Sequence, residues 1–212
     1  MKYKVYLFDF DYTLADSSRG IVTCYRHVLD RNGYSSPTDD DIKRTIGKTL
    51  EDSFALLTGV TDAALLAEFR RQYVKEADVY MTANTILFPE VENVLRHLKA
   101  EGARLGIIST KFRYRIRELL TAKGLDDVFD LIVGGEDVKA AKPSPEGVLM
   151  ALDRLQVGKE EVLYVGDSVV DAETAQAAGV SFGGVTHGVT TAEELSAYPH
   201  RLIMTSLEEL LP

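Results

Sequence analysis

Four aspartates occur as two pairs, each directly after a short apolar run. Asp9 and Asp11 follow VYLF, and Asp167 and Asp171 follow VLYVG. Residues two apart on an extended strand lie on the same side of it, so Asp9 and Asp11 should project together. Crowded carboxylates repel one another, and a hard divalent cation such as Mg²⁺ is their natural neutraliser. One carboxylate of such a set can attack phosphorus, and a second can donate and later accept a proton.

Two further residue types suit the transfer of a phosphoryl group. Ser109 follows the apolar run ARLGII, and Lys142 lies in the loop KAAKPSPEG. A hydroxyl and an ammonium group can hold the phosphoryl oxygens as negative charge builds up on them. Thr110 and Lys111 directly follow Ser109, which makes both of them candidates for contact with the substrate.

The residues after Lys142 predict how it is presented. Pro143 disfavours helical backbone angles at Lys142. Ser144 and Pro145 are suited to the N-cap and first positions of a helix. We therefore expect Lys142 on a stiff loop directly before a helix.

The elements that position these residues are visible as apolar runs. Predicted helices separate most of the runs, and strands that alternate with helices predict a Rossmann-like, doubly wound α/β fold with a parallel sheet. Ligands bind such sheets at the carboxyl ends of the strands. If the strands are neighbours, the four aspartates, Ser109 and Lys142 converge on one crevice. The predicted strands lie at 4–8, 103–109, 130–135, 161–167, 180–185 and, more weakly, 201–205.

The segment 16–83 has a different pattern and contains no convincing strand. One apolar helical stripe runs from Ile21 to Leu29, and another runs from Leu66 to Tyr80. We interpret 16–83 as a small all-helical domain inserted after the first strand. The α/β core is then formed by 1–15 and 84–212.

The composition limits the possible partners and location. The net charge is -9 and the acidic residues are spread along the chain, which argues against nucleic acid and acidic membranes as partners. No apolar run approaches the ~20 residues of a membrane span. The single Cys24 excludes an internal disulfide and favours a reducing cytoplasm. We expect a small-molecule phosphate ester as the partner, and either a monomer or a homodimer.

Four motifs in order resemble those of the haloacid dehalogenase superfamily of phosphatases, and they span nearly the whole predicted core. The helical insert is similar to the small helical cap of the subgroup that includes phosphoglycolate phosphatases and phosphomutases. Any one of the motifs is weak, whereas four in this order are specific. They are DFDYT at 9–13, IIST at 107–110, KPSP at 142–145 and GDSVVD at 166–171.

The resemblance implies a role for each motif residue. Asp9 would be the nucleophile and Asp11 the general acid and base, while Ser109 and Lys142 would bind the phosphate. Asp171 is alternatively a solvated acid in the first turn of a helix. The implied ligands of Mg²⁺ are Asp9, the backbone carbonyl of Asp11, Asp167 and, directly or through a water, Asp171.

Three rival functions remain open at this point. A sugar phosphomutase of the β-phosphoglucomutase type would use the same motifs, although its cap-proximal histidine is missing from SSRGIVTC. A dehalogenase or phosphonatase would lack the second carboxylate, and Asp11 is present. A non-catalytic sensor of phosphate or Mg²⁺ would be expected to lose a reactive group, and none is missing. The resemblance suggests phosphoglycolate first, and Lys48, with Thr49, is a candidate for contact with its distal carboxylate.

Two residues near the predicted site, Tyr12 and His187, need an interpretation of their own. The family usually has Gly where this chain has Tyr12, so we expect Tyr12 either at a negative φ or mildly strained. His187 is expected to be a solvated loop residue near the site. The GVSFG segment matches the G-x-S-x-G sequence of a nucleophile elbow, which requires a strand, a sharp turn and then a helix. Here the predicted helix comes first and the predicted strand follows, so we interpret the match as chance.

Overall fold

The computed structural model describes residues 3–212, and these residues divide into two compact units. The core unit consists of the segment up to Ala15 together with Leu87–Pro212, and the helical unit consists of Asp16–Ile86. The chain passes between the units at two short paired strands, β2 (Ala15–Asp16) and β3 (Ile86–Leu87). Within residues 3–212, no helix has the length and apolar character needed to cross a membrane.

The core unit is built on a six-stranded parallel sheet. The strands are β1 (Val5–Phe8), β4 (Arg104–Ile108), β5 (Leu131–Val133), β6 (Val162–Gly166), β7 (Ser181–Val185) and β8 (Leu202–Met204). Their order in the sheet is β5-β4-β1-β6-β7-β8. The parallel α/β fold predicted from the sequence is confirmed, and each of the six predicted apolar runs contains one of the strands. Ser181 begins β7, so the strand predicted at GVSFG is also confirmed.

Helices cover both faces of this sheet, because the strand residues are apolar on both sides. Helices α5 (Val91–Ala100) and α6 (Arg113–Ala122) pack on one face, and α7 (Glu146–Leu155) and α8 (Val169–Ala178) pack on the other. A short helix, α9 (Ala192–Ser196), follows β7 and was not predicted. Strand β1 shows the arrangement, because all four of its residues are buried and the neighbouring Leu7 and Phe8 belong to different apolar clusters.

The helical unit contains four helices around an aromatic core. Its longer helices bury most of the stripes that the sequence predicted, although Tyr80 at the end of the second stripe is exposed. The two shorter helices start at threonine N-caps, Thr38 and Thr49. Tyr25, Phe54 and Tyr73 lie at the centre of the core. The helices are α1 (Ser18–Arg31), α2 (Asp39–Lys43), α3 (Leu50–Thr58) and α4 (Ala63–Tyr80).

The predicted start of α7 is wrong by one position. The helix begins at Glu146 with Pro145 at the N-cap, so Ser144 lies outside it. The Ser144 hydroxyl nevertheless accepts a hydrogen bond from the backbone N–H of Glu146 at 3.3 Å. Lys142 therefore lies on the loop before the helix as expected, one residue further from its start.

Candidate active site

The parallel register brings the polar strand ends to one edge of the sheet. Phe8, the last residue of β1, is paired with Ile107 of β4 and with Val165 of β6. The residues that follow these strands, Asp9 among them, therefore emerge side by side at the carboxyl edge. From the sequence, the polar residues are expected to converge if their strands are neighbours, and β4, β1 and β6 are neighbours in the sheet.

Three carboxylates form a buried cluster at this edge. Asp9, Asp167 and Asp171 each place one oxygen within 4.8 Å of the others. Burial, opposed by Lys142 and reinforced by Asp171 and Asp11, raises the pKa of Asp9 to about 6. Burial and the charges of Asp171 and Asp9 raise the pKa of Asp167 well above its usual value. Both shifts mean that the ionised carboxylates are disfavoured at this edge unless further positive charge is present.

Lys142 is the cation that the structure places against this cluster. Its Nζ lies 2.9 Å from Asp9 Oδ1 and 2.6 Å from Asp171 Oδ1, and its side chain is 5% exposed. Burial alone would lower the pKa of Lys142, but the charges of Asp171 and Asp9 outweigh it and hold that pKa well above its usual value. The lysine therefore remains a cation although it is buried. The peptide bond between Lys142 and Pro143 is cis.

Asp171 is fully buried, so its interpretation as a solvated helix acid is wrong. It occupies the third position of α8 in a capping box with Ser168, whose backbone N–H and hydroxyl donate to Asp171 Oδ2 at 3.1 and 2.6 Å. Its other oxygen accepts a hydrogen bond from Lys142. Both oxygens of Asp171 are occupied by protein donors, and one of these donors is the predicted phosphate-binding lysine.

Asp11 is paired with a different cation. Lys111 Nζ lies 2.8 and 3.1 Å from the two carboxylate oxygens of Asp11, and the lysine side chain is only 8% exposed. The ammonium also lies 5.7 Å from the centroid of the Phe10 ring. Lys111, predicted from its position to contact the substrate, thus contacts the predicted general acid and base in this structure.

The remaining predicted residues lie in two different units. Ser109 is buried at the end of β4, where its hydroxyl accepts a hydrogen bond from the Lys111 backbone N–H at 3.3 Å. Thr110 is the next residue and is partly exposed. Lys48 belongs to the helical unit and is exposed on the turn before α3. Thr49 caps α3, and its hydroxyl donates to Asp52 at 2.7 Å.

Tyr12 adopts a left-handed backbone conformation, with φ +59°, so the expectation of a negative φ is wrong and the alternative of local strain applies. A tight turn requires this angle: the Tyr12 N–H donates to the Ala15 carbonyl at 2.7 Å, and the Ala15 N–H donates to the Phe10 carbonyl at 3.0 Å. The Tyr12 side chain is buried, which compensates for part of the backbone cost.

The sequence reasoning assigned no role to Thr13 or Gly188, although both lie against Asp167. The Thr13 hydroxyl donates to Asp167 Oδ1 at 3.2 Å. A Cβ added to Gly188 would lie 2.4 Å from Asp167 Oδ2, so only glycine allows the loop to approach this closely. Gly188 follows β7 at the carboxyl edge of the sheet, and this position after a strand could have identified it as a residue near the site.

The side chain of His187 is only 8% exposed, so the expectation of a solvated side chain is wrong. Its Nε2 lies 3.1 Å from Glu90 Oε1 and its Nδ1 lies 3.2 Å from the Thr13 carbonyl oxygen. The ring also packs on Phe88, with 4.2 Å between the ring centroids. His187 thereby connects the loop after β7 with the loop that carries Thr13.

The residues of the carboxylate cluster fit a divalent cation. Oxygen is the ligand that such hard cations prefer, and three buried carboxylates within reach of one another supply it. Asp9 Oδ1 is buried and receives no well-aligned hydrogen bond, although Lys142 is near it. A buried charged oxygen without such a donor is costly, and a bound cation would remove that cost.

Comparison with known proteins gives consistent matches over nearly the whole chain. The family model for haloacid dehalogenase-like hydrolases matches residues 6–185. Pyrophosphatase PpaX of Bacillus velezensis is 31% identical over 205 residues, which cover 97% of this chain and 93% of that protein. Phosphoglycolate phosphatase of Photorhabdus laumondii is 30% identical over 208 residues, which cover 96% and 89%.

A solved structure is more similar still. The crystal structure of a protein from Bacteroides fragilis, described as a haloacid dehalogenase-like hydrolase, is 64% identical in sequence. It superposes with a TM-score of 0.98 over 99% of this chain and 100% of that chain. The likeness therefore covers the carboxyl edge of the sheet and the helical unit alike.

Proposed function

The chain belongs to the haloacid dehalogenase-like hydrolases and is a hydrolase that acts on phosphate esters, and we propose that it is a Mg²⁺-dependent phosphomonoesterase whose nucleophile is Asp9. One observation supports this most directly. The buried cluster of Asp9, Asp167 and Asp171 lies against Lys142 at the carboxyl edge of the sheet. This arrangement offers a carboxylate nucleophile, ligands for a metal ion and a cation that can bind phosphate.

In the first step, a carboxylate oxygen of Asp9 attacks phosphorus and the bond from phosphorus to the ester oxygen breaks. Asp11 donates a proton to the leaving oxygen, so that a neutral alcohol departs. Ser109 and Lys142 bind the phosphoryl oxygens while charge accumulates on them. The product of this step is a phosphorylated Asp9.

In the second step, Asp11 is a carboxylate and accepts a proton from water as the water oxygen attacks phosphorus. The bond between phosphorus and Asp9 breaks, which releases inorganic phosphate, restores the Asp9 carboxylate and leaves Asp11 protonated. The Asp11 carboxylate is paired with Lys111 at 2.8 Å, which fixes its position beside Asp9 for both steps.

Mg²⁺ would be held by Asp9, Asp167 and the backbone carbonyl of Asp11, and when bound it supplies charge neutralisation and polarises the phosphoryl oxygens. Asp171 would participate through a water, because both of its oxygens already accept protein hydrogen bonds. Its main role is then to hold Lys142.

We propose a small cytosolic metabolite as the substrate, with phosphoglycolate first. The resemblance to phosphoglycolate phosphatases supports this choice, and the single cysteine supports the compartment. Pyrophosphate is the second candidate, because PpaX, a relative of similar identity, is named a pyrophosphatase. The helical unit, similar to the cap of this family, is proposed to recognise the part of the substrate distal to phosphorus.

The decisive test is hydrolysis of an aryl phosphate with Mg²⁺, with excess chelator, and with Mg²⁺ restored. We expect activity only with Mg²⁺. Ca²⁺ should inhibit, because its larger and looser coordination sphere accepts both oxygens of a carboxylate and leaves it a poor nucleophile. Full activity in excess chelator would refute the metal requirement, and no activity under any condition would favour a sensor.

A panel of phosphate esters identifies the substrate. It should contain phosphoglycolate, pyrophosphate and hexose 1-phosphates, with release of inorganic phosphate as the measurement. The highest kcat/KM is expected for phosphoglycolate. Conversion of a hexose 1-phosphate into its 6-phosphate without release of phosphate would instead identify a phosphomutase.

A further inference from the structure

Tyr164 is a fully buried tyrosine whose hydroxyl reaches the carboxylate cluster. It lies on β6, three residues before Asp167, and its ring belongs to the apolar cluster between the sheet and α7 and α8. The hydroxyl oxygen lies 2.9 Å from Asp171 Oδ1 and 3.2 Å from Lys142 Nζ. It also lies 3.3 Å from the carbonyl oxygen of Ile108, at the end of β4.

The protons of these groups can be assigned. A tyrosine hydroxyl donates one proton and accepts others. A tyrosine hydroxyl is protonated at neutral pH. That proton goes to Asp171 rather than to the Ile108 carbonyl, because the carboxylate is charged and closer. Lys142 in turn donates to the hydroxyl oxygen.

The contacts of Lys142 can be assigned in the same way. An ammonium group has three protons, and Asp171 and Tyr164 each accept a hydrogen bond from it. Asp9 lies 2.9 Å from the ammonium as an ion-pair partner, without a well-aligned hydrogen bond. The Tyr164 hydroxyl is also hydrogen-bonded to Asp171, so Lys142, Asp171 and Tyr164 are each hydrogen-bonded to the other two. The hydroxyl neutralises part of the Asp171 charge, and without it Asp171 would draw Lys142 more strongly toward itself.

We propose that Tyr164 is a positioning residue that sets the direction of the Lys142 ammonium group and thereby the binding of the phosphoryl group. The proposal rests on the proposed function, in which Lys142 binds phosphate. Tyr164 acts through Lys142 and Asp171 and does not itself contact the substrate. Removing the hydroxyl leaves Lys142 charged and buried, but turned toward Asp171 and away from Asp9 and the phosphoryl oxygens.

The test is a calorimetric titration of inorganic phosphate into the Mg²⁺-loaded protein, for wild type, Tyr164→Phe and Tyr6→Phe. Tyr6 is a matched control, because it is a buried tyrosine of the adjacent strand. Within residues 3–212 its hydroxyl accepts only a long hydrogen bond, from the Tyr3 N–H at 3.4 Å. Phosphate affinity should fall about three- to tenfold in Tyr164→Phe, the range expected for one lost hydrogen bond. It should stay at the wild-type value in Tyr6→Phe.

Two further measurements make the test complete. Melting temperatures of the three proteins separate a general loss of stability from a change at the site, since a structural role alone would lower only the melting temperature. In wild type, the Tyr164 hydroxyl proton should give a protected proton resonance that shifts when phosphate is added, which tests the contact even if Tyr164→Phe fails to fold. Equal or tighter phosphate binding by Tyr164→Phe, or no shift of that resonance, would overturn the assignment. A wild type that binds phosphate in this pattern but hydrolyses no ester would overturn the proposed function instead.

Discussion

In the helical unit burial brings aromatic rings together, whereas at the carboxyl edge of the sheet it brings charges together. The Tyr25 ring lies 4.7 Å from that of Phe54 and 4.8 Å from that of Tyr73. At the sheet edge, Lys142 lies within 3 Å of Asp9 and Asp171. Both groups of side chains are almost inaccessible to solvent.

The energetic consequences of the two kinds of burial are opposite. Each large aromatic side chain that leaves water stabilises the folded state by roughly 1.5–3 kcal/mol. A buried charge costs free energy unless partners compensate it, and Lys142 contacts only two of the three clustered carboxylates, Asp9 and Asp171. The comparison indicates that the aromatic core stabilises the helical unit, whereas the charged edge is the region to which we assign the proposed chemistry. Substitutions in the two regions should therefore change different quantities.

The largest effect should come from Asp9→Asn at the charged edge. Turnover should fall more than ~1000-fold, about 4 kcal/mol in activation free energy, because the covalent route is lost. The melting temperature should stay equal or rise, because the neutral amide removes repulsion within the carboxylate cluster. Both are measured on freshly purified protein. Turnover near the wild-type value, or a collapse of the fold, would contradict the comparison.

The opposite result is expected from Phe54→Ala in the aromatic core. Phe54 is fully buried, so its truncation should lower the free energy of unfolding by about 3–5 kcal/mol in urea titrations. Leu56→Ala is the matched control on the same helix, because Leu56 is 66% exposed and its loss should change stability little. A change below about 1 kcal/mol for Phe54→Ala would show that the aromatic cluster does not stabilise the unit.

A third substitution tests whether the helical unit contributes to specificity as well as to stability. Lys48→Ala should lower kcat/KM for a carboxylated substrate such as phosphoglycolate by about 10- to 100-fold, the loss of one charge-assisted contact. An aryl phosphate should be hydrolysed nearly as before, because the residues at the sheet edge are unchanged. Lys75→Ala, an exposed lysine of the same unit, is the control. Equal losses on both substrates would indicate misfolding, and no loss would assign Lys48 to the surface.

Much of the fold could be predicted because it depends on local patterns. The apolar runs located all six strands of the parallel sheet, and the rule for strand ends located Asp9, Ser109 and Asp167 at one edge. The contacts between Lys111 and Asp11, and between Lys142 and Asp171, could not be predicted. They depend on the direction of long side chains across neighbouring strands, which spacing along the chain does not encode.

The predictions for two single residues, His187 and Tyr12, were wrong for the same physical reason. His187 was expected in solvent because loops are usually exposed, but Glu90 and the Thr13 carbonyl give both of its ring nitrogens partners inside the protein. Tyr12 was expected to avoid a positive φ, yet the tight turn from Phe10 to Ala15 requires that angle. In each case tertiary contacts outweigh a local preference.

The smallest effect should come from an ion pair of the helical unit, which contrasts with the buried pair of Lys142. Arg31 Nη2 and His27 Nδ1 each lie 2.7 Å from an oxygen of Glu76, but both of those partners are substantially exposed. Glu76→Gln should lower the free energy of unfolding by only about 0.5–1 kcal/mol at neutral pH, as is typical of exposed pairs.

The pH dependence of this difference identifies its origin. Hydrogen bonds from Arg31 and then His27 lower the pKa of Glu76 from its ordinary value of 4.5, so the folded state favours the ionised carboxylate. A depressed carboxyl pKa contributes stability above the ordinary value and loses it as pH falls through the folded-state value. The wild-type advantage over Glu76→Gln should therefore be present above pH 4.5 and be lost as pH falls through the lowered folded-state pKa of Glu76, measured by urea unfolding at several pH values. A difference that persists in acid would assign the effect to packing of the side chain and not to its charge.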